Sequence, residues 1–219
     1  MTHWQRLFSA LLVVVTYVQS LPAMEFDFQP LSSLCRIEVN LSTGFGKRSI
    51  SGTFGRLSGF FHFFPEKPES SNGKIVLASR SLRFGHPKVD YDTHAPDWLN
   101  SAEFPEISFH CNSLKDFSWH GTELRAEAEG VLSIKGIQKS ISIPLSIRYL
   151  RGERRKYEGY PGDLLKIQGL LSISRSQFAI ASGDFLSSVM ENVEIEVSII
   201  GASQKVRPLL HSRLFLKNP

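Results

Sequence analysis

Cysteine is nearly missing from this chain, with two, Cys35 and Cys111, among 219 residues. They form no Cys-x-x-Cys pair and no cluster with histidine, which excludes a zinc module, a thioredoxin-like redox site and a disulfide-stapled scaffold. Methionine and tryptophan are scarce as well, three of each against sixteen phenylalanines. No apolar run reaches the roughly 20 residues that a membrane-spanning helix needs. The Gly-x-Ser-x-Gly elbow, the His-Glu-x-x-His helix and the glycine-rich phosphate loop are all absent, so the commonest catalytic frameworks are not indicated. Neither sign of charge dominates, at 25 basic against 21 acidic residues. The basic excess lies in the tail, on Lys205, Arg207, Arg213 and Lys217, and in the stretch 151–156. A nucleic-acid binder would carry it on a folded face among aromatics, so nucleic acid is not an expected partner.

What is present is a folding composition, 42% apolar and 21% charged, punctuated by 16 glycines and 11 prolines. Residues 1–23 read as a secretory leader: Arg6, an apolar stretch from Leu7 to Val18, then small residues that offer cleavage after Ser20 or Ala23. Export to an oxidising compartment, the periplasm in a bacterium, would permit a disulfide. Cys35 and Cys111 both fall on the apolar parity of their strands, so two buried free thiols are the simpler reading and a bridge the alternative.

Period two governs the rest. Cys35, Ile37, Val39 and Leu41 alternate with Arg36, Glu38 and Asn40, and Ile141, Ile143, Leu145 and Ile147 alternate with polar residues and Pro144. Leu165 to Ile173 and Val193 to Ile199 repeat the pattern. Further strands are expected over 59–64, 74–82, 106–111 and 123–135. About eight strands in roughly 175 residues fit an antiparallel barrel or sandwich, and closure would remove the exposed edges. Pro144 argues for an edge or a bulge. The stretch 90–101 lacks alternation and reads as a helical turn or a lid-like loop. Residues 24–203 therefore make one all-β domain, followed by a basic extension over 204–219.

The motifs that resemble chemistry are weak. Ser71-Asn-Gly-Lys74 matches Ser-x-x-Lys but lies in a turn. Asp90-Tyr-Asp92-Thr-His94 gathers two carboxylates and an imidazole, yet no further ligand follows at a recognised spacing. A hydrogen-bonded loop fixed by Asp92 and His94 is the plainer account, and no metal or cofactor is expected. Asn40-Leu-Ser42 is a glycosylation acceptor by pattern alone, inside a strand. The informative part is the interior. Parity turns Phe61, Phe63, Ile75, Leu77, Ile107 and Phe109 inward, together with Leu132 and Ile134. Ile143, Leu145, Ile173, Ile195 and Val197 join them from three of the series above. An eight-stranded barrel lined this way is either filled by its own side chains or holds one ligand.

Order and spacing then match something specific. The segments are Gly52-Thr-Phe54, Gly59-Phe-Phe61-His-Phe63, and Asp92-x-His94 leading to Trp98-Leu-Asn100. They continue with Phe104-Pro-Glu-Ile107-Ser-Phe109 and with Gly130-Val-Leu132-Ser-Ile134-Lys-Gly136. The last is Arg175-Ser-Gln-Phe178-Ala-Ile180, followed by the final strand through Gly201-Ala202. In this the chain resembles the YceI-like family, exported bacterial proteins that bind polyisoprenoid lipids. The resemblance implies an extended, lipocalin-like antiparallel barrel whose pore holds an isoprenoid chain, with Trp98 and Phe178 among its lining. It also implies a polar mouth carrying Asp92, His94 and Arg175, of which Arg175 would either meet a phosphate or quinone oxygen or pin a loop. The chain departs from the family pattern at Phe64-Pro65, at Ser42-Thr-Gly44 and at Ala179.

The expectation is a non-enzymatic, periplasmic carrier or store for a prenylated quinone or polyprenyl phosphate. Peripheral membrane contact through the basic tail and a homodimer accompany it. Two alternatives stand beside it: a ligand-free barrel serving interaction or stress response, and an enzyme acting on a bound lipid.

Overall fold

The computed structural model describes residues 23–42, 49–180 and 189–205. Residues 1–22 of the leader and the tail beyond Lys205 lie outside the described residues. Eleven strands form a single antiparallel sheet. They are β1 (Met24–Asp27), β2 (Arg36–Ser42), β3 (Ser49–Phe54), β4 (Leu57–Phe63), β5 (Asn72–Ala78) and β6 (Leu82–Arg83). The longer ones follow: β7 (Glu106–His120), β8 (Glu123–Ile134), β9 (Ile137–Leu150), β10 (Leu164–Ser174) and β11 (Asn192–Ala202). Two helices interrupt them, α1 (Pro87–His94) and α2 (Arg154–Glu158).

The sheet closes on itself. Its order runs β1-β4-β5-β7-β8-β9-β10-β11, and Asp27 pairs with Ala202 to join the ends. The three short strands are not extra members of the ring. β2 continues the stave begun by β1 and pairs with β11 from Ser198↔Arg36 to Glu194↔Asn40. β3 pairs with β2, and β6 with β3, so they prolong the staves of β4 and β5. The result is a closed eight-stave barrel, three of whose staves bend at residues 28–35, 55–56 and 79–81. Single-turn 3-10 segments at Ser32–Leu34 and Ser79–Ser81 make two of those bends.

Alternation is regular along β8, where Leu124, Ala126, Ala128, Gly130, Leu132 and Ile134 face inward and are buried. β7 runs past Cys111 to His120, beyond the expected end. Register shifts after Cys111 and after Lys115 break the parity there, and of its last nine residues Leu114 alone is buried. The expected strand 74–82 is likewise split by the bend at 79–81.

The end of the barrel remote from α1 is sealed. Phe63, Leu114, Leu124, Ile147 and Leu165 are fully buried there. The buried Asp163 locks the adjoining chain ends. Its carboxylate accepts from Tyr149 Oη and from the Gly152 amide, both at 2.7 Å. Its backbone exchanges hydrogen bonds with Ser203, through Ser203 Oγ at 3.0 Å and the Ser203 amide at 2.9 Å. Because every polar atom in this lock has a partner, the seal does not leave a buried carboxylate stranded.

One seam of the barrel is unzipped. The β9–β10 ladder runs from Leu164↔Leu150 to Gly169↔Leu145 and stops, although both strands continue. Beyond it Leu170–Ser174 pairs only with β11, and Ile137–Pro144 only with β8. Pro144, which has no N–H to give, stands at the point of divergence. The sequence expectation of an edge at Pro144 is met by this splayed seam.

Glycines on neighbouring staves give room for phenylalanine. A Cβ at Gly52 would lie 2.7 Å from the Phe84 ring, one at Gly73 2.6 Å from the Phe61 ring, and one at Gly130 2.7 Å from the Phe109 ring. At Gly130 it would also meet the His110 carbonyl at 2.2 Å, an atom that cannot step aside. Gly130→Ala should therefore destabilise the fold by about 2 kcal/mol. Urea unfolding would show this as a lower midpoint with an unchanged slope.

Candidate ligand-binding cavity

Above the sealed end the barrel holds an apolar cavity of about 140 Å³. Every stave contributes apolar side chains to it. Phe61 comes from β4, Ile75 and Leu77 from β5, Ile107 and Phe109 from β7, and Leu132 and Ile134 from β8. Ile143 and Leu145 come from β9, Ile173 from β10, and Ile195 and Val197 from β11. Trp98 enters from the segment after α1. Parity placed twelve of these side chains inward and the resemblance added Trp98, and the structure brings them around one lumen.

Five other expected site residues require separate description. Phe63 faces inward but lies in the sealed end, fully buried and away from the lumen. Phe178 ends the 3-10 turn Ser176–Phe178 and is buried in the core without reaching the lumen. Asp92 does not line it either and pairs with Lys88 one turn earlier on α1 at 2.9 Å. His94 is also outside the lining. Its Nε2 lies 2.8 Å from Arg83 Nη1 and 3.1 Å from the Leu82 carbonyl, and its Nδ1 lies 2.9 Å from Ser101 Oγ. Ser101 Oγ in turn meets Ser79 Oγ at 2.7 Å. His94 thus ties α1 to the stave bend at 79–81. Asp90 has a similar role, its carboxylate accepting from the Phe84 amide at 2.6 Å. Among the described residues no group of three His, Cys, Asp or Glu is placed to hold a metal ion.

Arg175 is the charged side chain that does border the lumen with its head buried, at 5% exposure. Its guanidinium donates to three carbonyls: Met190 at 3.0 Å, Val189 at 2.9 Å and Ile180 at 3.2 Å. It also lies 5.7 Å from the centre of the Trp98 ring, within cation–π range. Glu191 stands 4.0 Å away and is held near pKa 2, first by Ser174 and then by Ser176, with Arg175 adding a smaller charge effect. The guanidinium therefore ties Ile180 to Val189 and Met190 and lies beside the indole.

Sequence reasoning missed part of the lining. Phe28, Phe84, Leu99 and Ile180 border the lumen from bends and connections, and Phe54 from the last residue of β3, where no alternation announces them. Cys111 is also in the wall, and burial raises its thiol to about 11, so it is protonated at neutral pH. Cys35 lies outside the lining, with Sγ 3.5 Å from the Leu31 carbonyl. Both cysteines are free thiols.

A closed antiparallel barrel with a dry lumen at one end and a packed seal at the other defines the extended, lipocalin-like class. Within that class the chain belongs to the YceI-like family, whose domain model matches residues 27–200. It is 26% identical to a UPF0312 protein of Pseudomonas fluorescens over 161 residues, 73% of this chain and 78% of that one. A UPF0312 protein of Pseudomonas syringae pv. tomato is 33% identical over 98 residues, 45% of this chain and 49% of that one. Among solved structures, BcnA of Burkholderia cenocepacia superposes with a TM-score of 0.63 at 18% identity, covering 77% of this chain and 96% of BcnA. A polyisoprenoid binding domain from Saccharophagus degradans superposes at 0.61 and 12% identity, covering 84% and 99% respectively.

Burial, reinforced by Arg83 and Arg80, holds the His94 imidazole below its ordinary pKa of 6.5. Folding therefore favours the neutral ring. Its contribution is complete above about pH 6.5 and declines as pH falls, because the unfolded chain takes up the proton first. The stability advantage of the wild type over His94→Gln should shrink steadily in urea titrations from pH 7.5 to 5.5.

Proposed function

We propose that this protein binds an isoprenoid lipid in the barrel lumen and acts as its carrier or store. The observation that supports this most is the lumen itself, an apolar tube in a chain of the YceI-like family. A structural neighbour is a polyisoprenoid binding domain, which points to the same class of cargo. The cargo in this reading is a prenylated quinone or a polyprenyl phosphate. The leader pattern of residues 1–23 favours export to the periplasm, and the basic residues after 204 favour contact with an anionic lipid surface. A homodimer is part of the proposal, not of the observations.

The energetics favour exchange over capture. An isoprenoid in water is disfavoured by about 0.8 kcal/mol per exposed methylene. A bilayer removes the same exposure, so transfer from bilayer to lumen is close to balanced. The barrel would then hold its cargo reversibly, with selectivity set by lumen length and by the few polar groups at its edge. The reading is of a binding protein and not an enzyme: the lining's buried ionisable side chains are a protonated thiol and an arginine already bonded to three carbonyls.

Native mass spectrometry of the protein purified from its exported compartment tests this, followed by organic extraction. A stoichiometric adduct that extracts as an isoprenoid is the expected result. A bare mass, with no uptake of added prenylquinone or polyprenyl phosphate, would leave the ligand-free interaction module standing instead. A second test fills the lumen from its wall. Ile195→Trp should abolish the adduct while changing stability by less than about 1 kcal/mol, since the ring enters existing space.

A further inference from the structure

The connection between β9 and β10 leaves aromatic surface in water that the barrel does not use. It springs from the sealed end, between Tyr149 and Asp163 of the lock described above. Tyr157 and Tyr160 are 56% and 65% exposed there, and neither joins the core or lines the lumen. Arg151, Arg155 and Lys156 are exposed on the same stretch. Residues 151–158 hold four basic side chains against two acidic ones. A single exposed apolar residue is ordinary, but two large rings three positions apart among cations make a patterned surface.

Hydrogen bonds hold this surface in place. Arg154 donates to Glu158 at 2.7 Å and to the Ser203 carbonyl at 2.9 Å, and its amide donates to the Gly162 carbonyl at 3.2 Å. Gly159, at φ 77°, ends α2 by donating to the Arg155 carbonyl at 3.0 Å. Arg154 and Glu158 are thereby turned to the barrel, and Arg155, Lys156 and Tyr157 are left on the outward side. Glu153 is taken by Lys156 at 2.6 Å, so the acids of the stretch are both paired and the excess is positive. Ser203 also donates through Oγ to the Lys205 carbonyl at 2.8 Å, which brings the first cation of the basic extension to the same end. Rings on so fixed a support lose little freedom on docking.

We propose that this connection docks the protein on an anionic lipid bilayer. Tyr157 and Tyr160 lie at the level of the headgroups, where a ring with an apolar body and a polar tip is favoured. Arg155, Lys156 and Lys205 face the lipid phosphates. A nucleic acid fits less well, because Glu158 and Glu153 each hold one cation and too few remain for the several phosphate contacts such a site needs. The proposal goes beyond the tail contact suggested above, since the surface belongs to the folded barrel, and it sets an orientation. α1 and Trp98 stand at the opposite end, so a barrel docked here turns them away from the bilayer. Glu66 and Glu69 lie on the β4–β5 connection, across the ring from β9 and β10, so the barrel leans toward its basic side. Of the two roles of carrier and store, this posture suits the store.

The test is co-sedimentation of the protein, purified from its exported compartment, with vesicles of equal parts phosphatidylcholine and phosphatidylglycerol. Replacing Arg155→Gln with Lys156→Gln should weaken partitioning about tenfold, and Tyr157→Ser with Tyr160→Ser by a comparable factor. Both double variants should keep the isoprenoid adduct in native mass spectra, because none of the four residues lines the lumen. Unaltered partitioning of both variants would overturn the proposal. If Arg207→Gln, Arg213→Gln and Lys217→Gln together then release the protein, the contact belongs to the tail alone. A wild type that does not sediment with the vesicles overturns the docking surface and the tail contact together, and leaves the cargo reading to its own test. Orientation is read with brominated phosphatidylcholine in the same vesicles, which quenches nearby indoles. Tyr157→Trp should be quenched more than the wild type, and Tyr91→Trp, exposed on α1, should not. The reverse pattern would show that the α1 end docks and would refute the assignment.

Discussion

An eight-stave barrel has barely enough girth for its own inward side chains, and large apolar residues on every stave would ordinarily fill it. Here the lumen survives because rings are laid into the wall. The Phe84, Phe61 and Phe109 rings occupy the places where Cβ atoms would stand at Gly52, Gly73 and Gly130. Each pairing moves a bulky group from the axis of the tube toward its circumference. Gly52, Gly73 and Gly130 and the rings of Phe84, Phe61 and Phe109 thus share one explanation. In a filled barrel, glycine at those positions would only weaken the sheet; in this one it sets the bore.

The two ends of the tube then divide the work. Away from α1, Phe63, Leu114 and Leu124 pack without space, and Asp163 fastens the chain ends through Tyr149, Gly152 and Ser203. At the other end the ladder is discontinuous, and α1 with the turn after it supplies Trp98 and Leu99 to the lumen. His94, Ser101 and Ser79 fix that helical insert to a stave bend, so the group carrying the indole is held by polar contacts outside the lumen.

Much of this was legible in the chain. Alternation on β2, β8, β9, β10 and β11 gave the inward face without ambiguity, since a strand buried on one side must repeat every second residue. Pro144 announced the place where β9 parts from its neighbour. Parity tells which face a side chain takes but not how far along the tube it lies, and Phe61 and Phe63 show the difference: both point inward, and only Phe61 reaches the lumen. Phe84 and Leu99 were hidden because they enter from non-repeating segments. Asp92 and His94 looked like a polar mouth in one dimension; the register of α1 turns the first toward Lys88 and gives the second to Ser101. Arg175 was open between a head-group contact and a loop pin, and its three carbonyl partners show that it does pin the chain.

The unzipped seam has a mechanical meaning. Past Gly169 and Leu145, β9 and β10 are not joined by ladder bonds, and the hydrogen bond that spans them at the rim runs from Lys135 Nζ to the Ala179 carbonyl at 2.8 Å. A fully laddered tube can swell only by breaking several backbone bonds at once. Here the ladder between β9 and β10 ends at Leu145 and Gly169, so along this line the wall is held without those bonds. The wall is a split ring, laddered around most of its perimeter and parted along one line.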